Sequence, residues 1–393
     1  MALIHRKDSP ELLTICLLGH IDSANAGDLE QEIQAARAES EAEKLLLDAE
    51  DLEYISSAGL RVILRLRKQQ PDLQIVNVSP EVYEILDMTG FTEMMEVRKA
   101  YRRLAVEGCE VIGEGANGMV YRIDRDTIVK VYRNPDALPE IQRERELART
   151  AFVLGVPTAI PYDVVRVGEG YGSVFELLNA DTFAQLLRRG EKSLEELAEM
   201  SVDLLRHIHG TEVKPDSMPD TKAVALDWAE FLRDYLPPDQ YEMLHSLVAA
   251  VPEDHHMLHG DYHLKNVMLQ DGETLLIDMD TLCWGHPIFE LASMYNAYLG
   301  YGELDGSITE RFLGIPQDTA KEIWKISLRL YLDGADEETA RDVEDKARII
   351  GYTRAMRRRI RRKGFETEEG RAEIQHYKDC LAELLPRVDT LLF

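Results

Sequence analysis

The sequence has no apolar run of 18 residues, so no stretch of it is long enough to cross a bilayer as a helix. Its opening, MALIHRKDSPELL, lacks the apolar core of a secretory leader, and no export is expected from it. Cysteine is scarce. Cys16, Cys109, Cys283 and Cys380 are scattered, form no metal-binding pair, and fit a reducing cytoplasm better than a disulfide framework. Positive charge is short as well: 45 Lys and Arg face 72 Asp and Glu, a formal net charge of −27. That balance argues against a general nucleic-acid binder. It also means that any site for an anionic ligand must gather its positive charge locally. Internal repeats and low-complexity tracts are missing. What is present, 45% hydrophobic and 30% charged residues over 393 positions, suits two or three globular domains, each with its own core.

The first hundred residues alternate strand and helix signals. Buried strands are predicted at Leu12–Leu18, Lys44–Asp48 and Leu73–Val78, with a last one at Phe91–Val97. Helices are predicted at Ala24–Ala36, from Ser56 or Ser57 through Leu66, and at Pro80–Met88. This alternation implies a mainly parallel sheet covered by helices. The segment Asp51-Leu52-Glu53-Tyr54-Ile55-Ser56-Ser57-Ala58-Gly59-Leu60-Arg61 is similar to the signature of STAS domains, the anti-sigma factor antagonists. The stretch Ser79–Phe91, SPEVYEILDMTGF, resembles theirs too. The resemblance covers residues 1–99 and implies a protein-binding domain with no enzymatic activity of its own. It also implies that Ser57 accepts phosphate from a partner kinase. Many members carry Asp before that serine. Here the residue is Ser56, which serves equally as a plain helix cap.

The richest stretch is His255–Thr281, HHMLHGDYHLKNVMLQDGETLLIDMDT. Asp261 and Asn266 sit five apart in a polar loop. An apolar run, a turn at Asp271-Gly272 and a second apolar run lead to Asp278. Two short strands joined by a turn bring the three polar residues close together. Phosphoryl transfer needs such a set: one carboxylate to take a hydroxyl proton, and an amide oxygen with a second carboxylate to hold magnesium on the phosphates.

HGDYHLKN followed by LLIDMD resembles the catalytic and metal loops of the aminoglycoside phosphotransferase and choline kinase group, small-molecule relatives of protein kinases. The resemblance implies that Asp261 is the catalytic base and that Asn266 and Asp278 are the magnesium ligands. His259 matches the histidine that opens the catalytic loop and joins the catalytic set. His263 stands where serine/threonine kinases carry lysine, and Ile277-Asp278-Met279-Asp280 has no phenylalanine-glycine. Both departures point to small-molecule kinases.

Upstream, Gly113, Gly115, Gly118 and Val120 form G-x-G-x-x-G-x-V between two predicted strands, where glycines let the turn backbone lie against phosphates. A dinucleotide fingerprint would need a helix directly afterwards, and Met119–Ile123 continues as strand. Lys130 falls mid-strand in Thr127–Tyr132, where an unpaired ammonium is costly. It is assigned to ATP, paired with a glutamate of the following helix, Leu138–Leu154. Glu146 is the first choice and Glu144 the second. By the same resemblance the strand Ser173–Leu178 becomes a hinge, with Glu176 and Leu178 bonding adenine through their backbone.

From Thr182 the periodicity turns helical. His207 and His209 close one amphipathic helix and read as structural. Glu290 matches a buried acid that braces the catalytic loop in the family. Arg354, Arg357, Arg358, Arg359, Arg361, Arg362 and Lys363 form a basic run, read as a solvated helix face or as an anion-binding surface.

The expected fold is an N-terminal STAS-like α/β domain (1–99) followed by a bilobal protein-kinase-like phosphotransferase domain. Its nucleotide lobe spans 104–178 and its helical lobe 179–393. The expected activity is transfer of the γ-phosphoryl group of ATP, with Mg2+, to a hydroxyl of a small polar molecule, with a protein partner for the first domain and neither nucleic acid nor membrane. The alternatives are a protein serine kinase acting on a STAS domain or its partner, and a nucleotide-binding regulatory module with little turnover.

Overall fold

Apolar alternation in the first strands, with Leu13, Ile15 and Leu17 fully buried, sets one face of a sheet against its helices. The structure is a computed structural model that describes residues 3–115 and 118–393. It divides into two compact units, Met1–Leu104 and Ala105–Phe393.

In the first unit the elements run β1 (Ile4–Asp8), β2 (Leu12–Ile21), α1 (Ala26–Ala38), β3 (Lys44–Ile55), α2 (Ser57–Gln69), β4 (Gln74–Val78), α3 (Pro80–Met88), α4 (Phe91–Met94) and β5 (Glu96–Lys99). The sheet order is β1-β2-β3-β4-β5. Only β1 and β2 pair antiparallel; β2 through β5 are parallel neighbours. This is the helix-covered, mainly parallel sheet that the alternation predicts. The strand expected at Phe91–Val97 is corrected. Gly90, at φ 76°, lets the chain start a new helical turn, α4, that buries Phe91, and the strand begins only at Glu96.

The second unit opens with β6 (Glu110–Glu114), β7 (Gly118–Arg122), β8 (Thr127–Tyr132), α5 (Leu138–Val153), β9 (Pro161–Val167) and β10 (Gly170–Glu176). These strands form an antiparallel sheet of order β6-β7-β8-β10-β9. Ala116 and Asn117, the tip of the expected glycine turn, lie outside the described residues. Gly118 owes its identity to packing: a Cβ there would stand 2.1 Å from the Val131 carbonyl oxygen of β8. A Cβ at Gly115 would meet nothing within 4 Å among the described residues.

The chain continues through β11 (Asp181–Thr182), α6 (Phe183–Arg189), α7 (Leu194–His209), α8 (Thr221–Phe231), α9 (Pro238–Ala250), β12 (Met257–Leu258), β13 (Val267–Gln270), β14 (Glu273–Leu276) and β15 (Cys283–Trp284). Helices α10 (Ile288–Tyr298), α11 (Gly306–Leu313), α12 (Gln317–Tyr331), α13 (Glu337–Arg361) and α14 (Glu368–Leu384) complete it. Helix α7 begins with a reciprocal capping box between Ser193 and Glu196 and buries the stripe Leu197, Leu204, Leu205 and Ile208. Helix α10 is buried along its whole length. It forms the floor beneath the loops that join β12 to β13 and β14 to β15.

Candidate active site

Two loops meet above α10. The first, His259–Asn266, follows β12; the second, Ile277–Thr281, follows β14. Pairing of β12 with β15 and of β13 with β14 fixes both ends of each loop. Gly260 sits at φ 81°, and a Cβ there would lie 2.4 Å from the Thr281 carbonyl oxygen, so the loops can approach only because this residue is glycine. Thr281 closes the contact by donating its hydroxyl to the His259 carbonyl at 2.8 Å.

Glu290, in the first turn of α10, is fully buried and accepts from the N–H groups of His259, Gly260 and Tyr262. Burial pushes its carboxyl up, but His209, His259 and the Gly260 N–H together hold it below the ordinary range. His209 contributes one ring nitrogen 3.9 Å from Glu290, while the other is 2.7 Å from the Tyr331 hydroxyl.

His259, expected among the catalytic groups, is placed elsewhere. It is wholly buried behind the loop, with Nε2 3.2 Å from the Ile277 carbonyl and Nδ1 accepting from the Asp261 N–H at 3.3 Å. A single tautomer satisfies both contacts and ties the two loops together.

Asp261 has a partly exposed side chain whose carboxylate lies 3.5 Å from His263 Nε2. Burial acts to raise its pKa, but the His263 hydrogen bond and charge, with Arg354 and His259, outweigh that and hold it at about 2. Asn266 donates Nδ2 to the Asp261 carbonyl at 2.9 Å, which leaves its amide oxygen for another partner. Its own carbonyl accepts from Ile277 N–H at 3.0 Å, beside Asp278. Asp278 takes a left-handed backbone, φ 64° and ψ 68°, a conformation that aspartate tolerates better than most residues.

Lys130 stands mid-strand on β8, opposite Val120 of β7 and Ser173 of β10. Its ammonium is 2.8 Å from Glu144 and 3.3 Å from Asp278. Burial acts against the charge, but the Glu144 and Asp278 carboxylates outweigh it and raise the pKa above the ordinary lysine value. Glu144, not Glu146, is the partner. It falls on the face of α5 that buries Ile141, Leu147, Ala148 and Ala151, whereas Glu146 is exposed on the other side. The second Glu144 oxygen accepts from the Tyr132 hydroxyl.

Negative charge accumulates around this lysine. Burial, together with Asp278, Glu144 and Asp261, raises Asp280 to about 7 despite Lys130. Such a crowd of hard oxygen donors, with an Asn266 amide oxygen that accepts no hydrogen bond among the described residues, fits a divalent cation of the magnesium type.

At the end of β10, the Glu176 N–H bonds Ile160 and the Leu177 N–H bonds Asp126. Glu176 also turns its carboxylate back to the Ile160 N–H, at 3.3 Å. The Leu178 N–H makes no hydrogen bond among the described residues. The Leu178 N–H is thus open to a ligand among the described residues, whereas the Glu176 N–H is consumed within the sheet.

A family model described as "Phosphotransferase enzyme family" matches residues 108–321, more than half of the 393. The chain belongs to this family. The STAS domain model matches residues 4–105. Over 90 residues, 22% of this chain and 77% of the other, the STAS unit is 40% identical to BtrV of Bordetella bronchiseptica, an anti-sigma factor antagonist by name. Among solved structures, the chain is similar to the aminoglycoside phosphotransferase APH(2'')-Ib with ADP bound, at 16% identity and a TM-score of 0.48, covering 80% of this chain and 100% of that one. It is also similar to a choline/ethanolamine kinase family protein of Mesorhizobium loti, at 16% identity and a TM-score of 0.45, covering 70% and 87%.

In the phosphotransferase unit, then, Asp261, Asn266, Asp278 and Lys130 converge on one place. Tyr132 belongs beside them and was not visible in the sequence, because nothing local ties a strand tyrosine to a helix glutamate. Arg354 belongs there too: it donates to the Gly260 carbonyl from 94 positions further along the chain. In the STAS unit, Ser56 caps α2 by accepting from the Gly59 N–H at 3.5 Å, and Ser57 follows as an exposed residue in the first turn.

Proposed function

We propose that the phosphotransferase unit moves the γ-phosphoryl group of ATP onto a hydroxyl of a small molecule, with Asp261 orienting that hydroxyl. The observation that carries this reading is the convergence of Lys130, braced by Glu144, with Asp278, Asn266 and Asp261 in one place. Lys130 and the backbone on the Gly115 side of the β6–β7 turn would hold the phosphates, and the Leu178 N–H would take the adenine edge. Asn266 and Asp278 would hold magnesium, which supplies neutralising charge to the phosphates when bound.

In the transfer, the acceptor oxygen forms its bond to the γ-phosphorus as the bond to the bridging oxygen breaks and ADP leaves. The hydroxyl proton passes to Asp261. A carboxylate held at about 2 is a weak base. It therefore works mainly by alignment, and takes the proton late, once bond formation has acidified it. His259 acts as a positioning residue, since both of its ring nitrogens are spent on the loops.

The STAS unit we read as a protein-binding module in which Ser57 is the phosphoacceptor. Its support is the division of labour at the start of α2: Ser56 is spent on the cap, and Ser57 is exposed where helix N–H groups favour a phosphate. The decisive experiment for the whole reading follows ADP release from Mg·ATP against a panel of hydroxyl compounds, for the parent and for Asp261→Asn. Acceptor-dependent release in the parent that Asp261→Asn abolishes is expected. Equal release by both proteins would sink the reading.

A further inference from the structure

Five arginines crowd positions 354–361 of α13, but they are not equivalent. Arg357 pairs with Asp227 at 2.9 Å, and Arg359 pairs with Glu373 at 2.7 Å. Arg354 and Arg358, four residues apart on one helix face, have no carboxylate within ion-pair distance among the described residues.

Arg354 borders the loop that carries Asp261, and Arg358 lies one helical turn further along the same face. Arg354 donates Nη1 to the Gly260 carbonyl at 3.0 Å and to Ser293 Oγ at 2.8 Å, and its guanidinium lies 5.7 Å from the Trp228 ring. One nitrogen makes both bonds, and among the described residues the rest of the fork makes no hydrogen bond. Its field also helps to hold Asp261 ionised. Arg358 lies over the Tyr301 ring and donates to its hydroxyl at 3.2 Å. Tyr301 meets Phe312 edge-on, Phe312 meets His263 edge-on at 5.0 Å, and His263 is 3.5 Å from Asp261. Arg354 thus touches the Asp261 loop directly, and Arg358 stands a turn away over Tyr301.

We infer that the acceptor hydroxyl is carried by a small anion, a phosphorylated or carboxylated compound, seated between Arg354 and Arg358. This rests on the phosphotransferase reading above and narrows its substrate class. Planar guanidinium forks match carboxylate and phosphate oxygens two at a time. An ammonium-bearing acceptor such as an aminoglycoside or choline would meet two uncompensated positive charges at the same place. Like charges brought together this way disfavour the wrong partner.

The test is calorimetry on the full chain, first with a non-hydrolysable ATP analogue and magnesium. The nucleotide-saturated protein is then titrated with glycerol phosphate, glycerate, choline and an aminoglycoside. Saturable binding of an anion and none of the cations is expected, and the two anions separate phosphate from carboxylate. Arg358→Gln should weaken the anion about tenfold, and Arg358→Glu further, with both variants melting like the parent. Tighter binding of a cation, binding of neither class, or an anion affinity indifferent to Arg358→Glu overturns the inference. So does transfer to a protein serine in preference to every small anion. Failure to bind the nucleotide in the first titration counts instead against the phosphotransferase reading.

Discussion

Tyr132 donates its hydroxyl to Glu144 from the strand position two residues beyond Lys130, so one carboxylate is gripped from β8 twice. Glu144 is only 5% exposed. Its two oxygens are assigned to different donors, and the tyrosine sets the angle at which the carboxylate meets the lysine.

Removing that hydroxyl in Tyr132→Phe leaves a buried acceptor short of one donor. A stability loss of about 1–3 kcal/mol follows from the unmet oxygen. The KM for ATP should rise several-fold while kcat falls less, because Glu144 acts on the nucleotide only through Lys130. Thermal unfolding and steady-state kinetics read the two effects separately. A variant with unaltered melting and unaltered KM would show that the tyrosine contact is idle.

Lys130→Met removes the counter-charge of a buried carboxylate. Breaking a buried pair from one side costs about 3–5 kcal/mol, whereas removing both charges costs much less. Lys130→Met should therefore melt well below the parent, and the Lys130→Met/Glu144→Gln double variant should recover most of that loss without recovering ATP binding. If the double variant were less stable than the single one, the pair would be stabilising in its own right.

Asp261→Asn keeps the shape of the loop and deletes its charge. Turnover should fall by about 10²–10⁴-fold with nucleotide affinity nearly unchanged. The pH behaviour follows from the direction of its shift. A carboxyl lowered to about 2 in the folded chain contributes stability that is present in full above the ordinary carboxylate range, near 3.8. That contribution drains away as pH falls from there toward 2. The stability gap between parent and Asp261→Asn, measured by denaturant titration, should be flat above about pH 5 and shrink below pH 4. A gap that opened only as pH rose through neutrality would contradict the assigned electrostatics.

At the start of α2 two adjacent serines should behave differently. Ser56→Ala should cost about 1 kcal/mol, because the hydroxyl caps the helix. Ser57→Ala should change stability by less than about 0.5 kcal/mol, as exposed substitutions do. Phosphate mapping by mass spectrometry after incubation with a cognate kinase should find Ser57 and not Ser56. The reverse pattern, in stability or in phosphate, would exchange their roles.

Much of this arrangement was legible because it is local. Asp261, Asn266 and Asp278 lie within one loop–hairpin–loop segment, and apolar runs with an Asp-Gly turn between them leave little freedom in where they point. The parallel part of the STAS sheet was legible for a similar reason, since β2 and β3 carry the apolar stretches LLTICLL and LLL. Edge strand β1 was not, because IHRKD is mostly exposed and carries no apolar alternation. The choice between Glu144 and Glu146 was decidable in principle: Ile141, Ala148 and Ala151 define the inward face of α5, and Glu144 shares it. The Tyr132–Glu144 and Arg354–Gly260 contacts join distant segments through packing that no local pattern encodes.

The three N–H groups gathered by Glu290 carry a further consequence. The acid is part of a helix buried on every side, so the loop bearing Asp261 takes its shape when α10 docks during folding, not when a ligand arrives. Little reorganisation energy is then left to be supplied at the moment of reaction, and the dipoles around the nucleophile are frozen in advance. Amide hydrogens at His259, Gly260 and Tyr262 should accordingly exchange only through global opening of the unit, equally slowly with and without nucleotide.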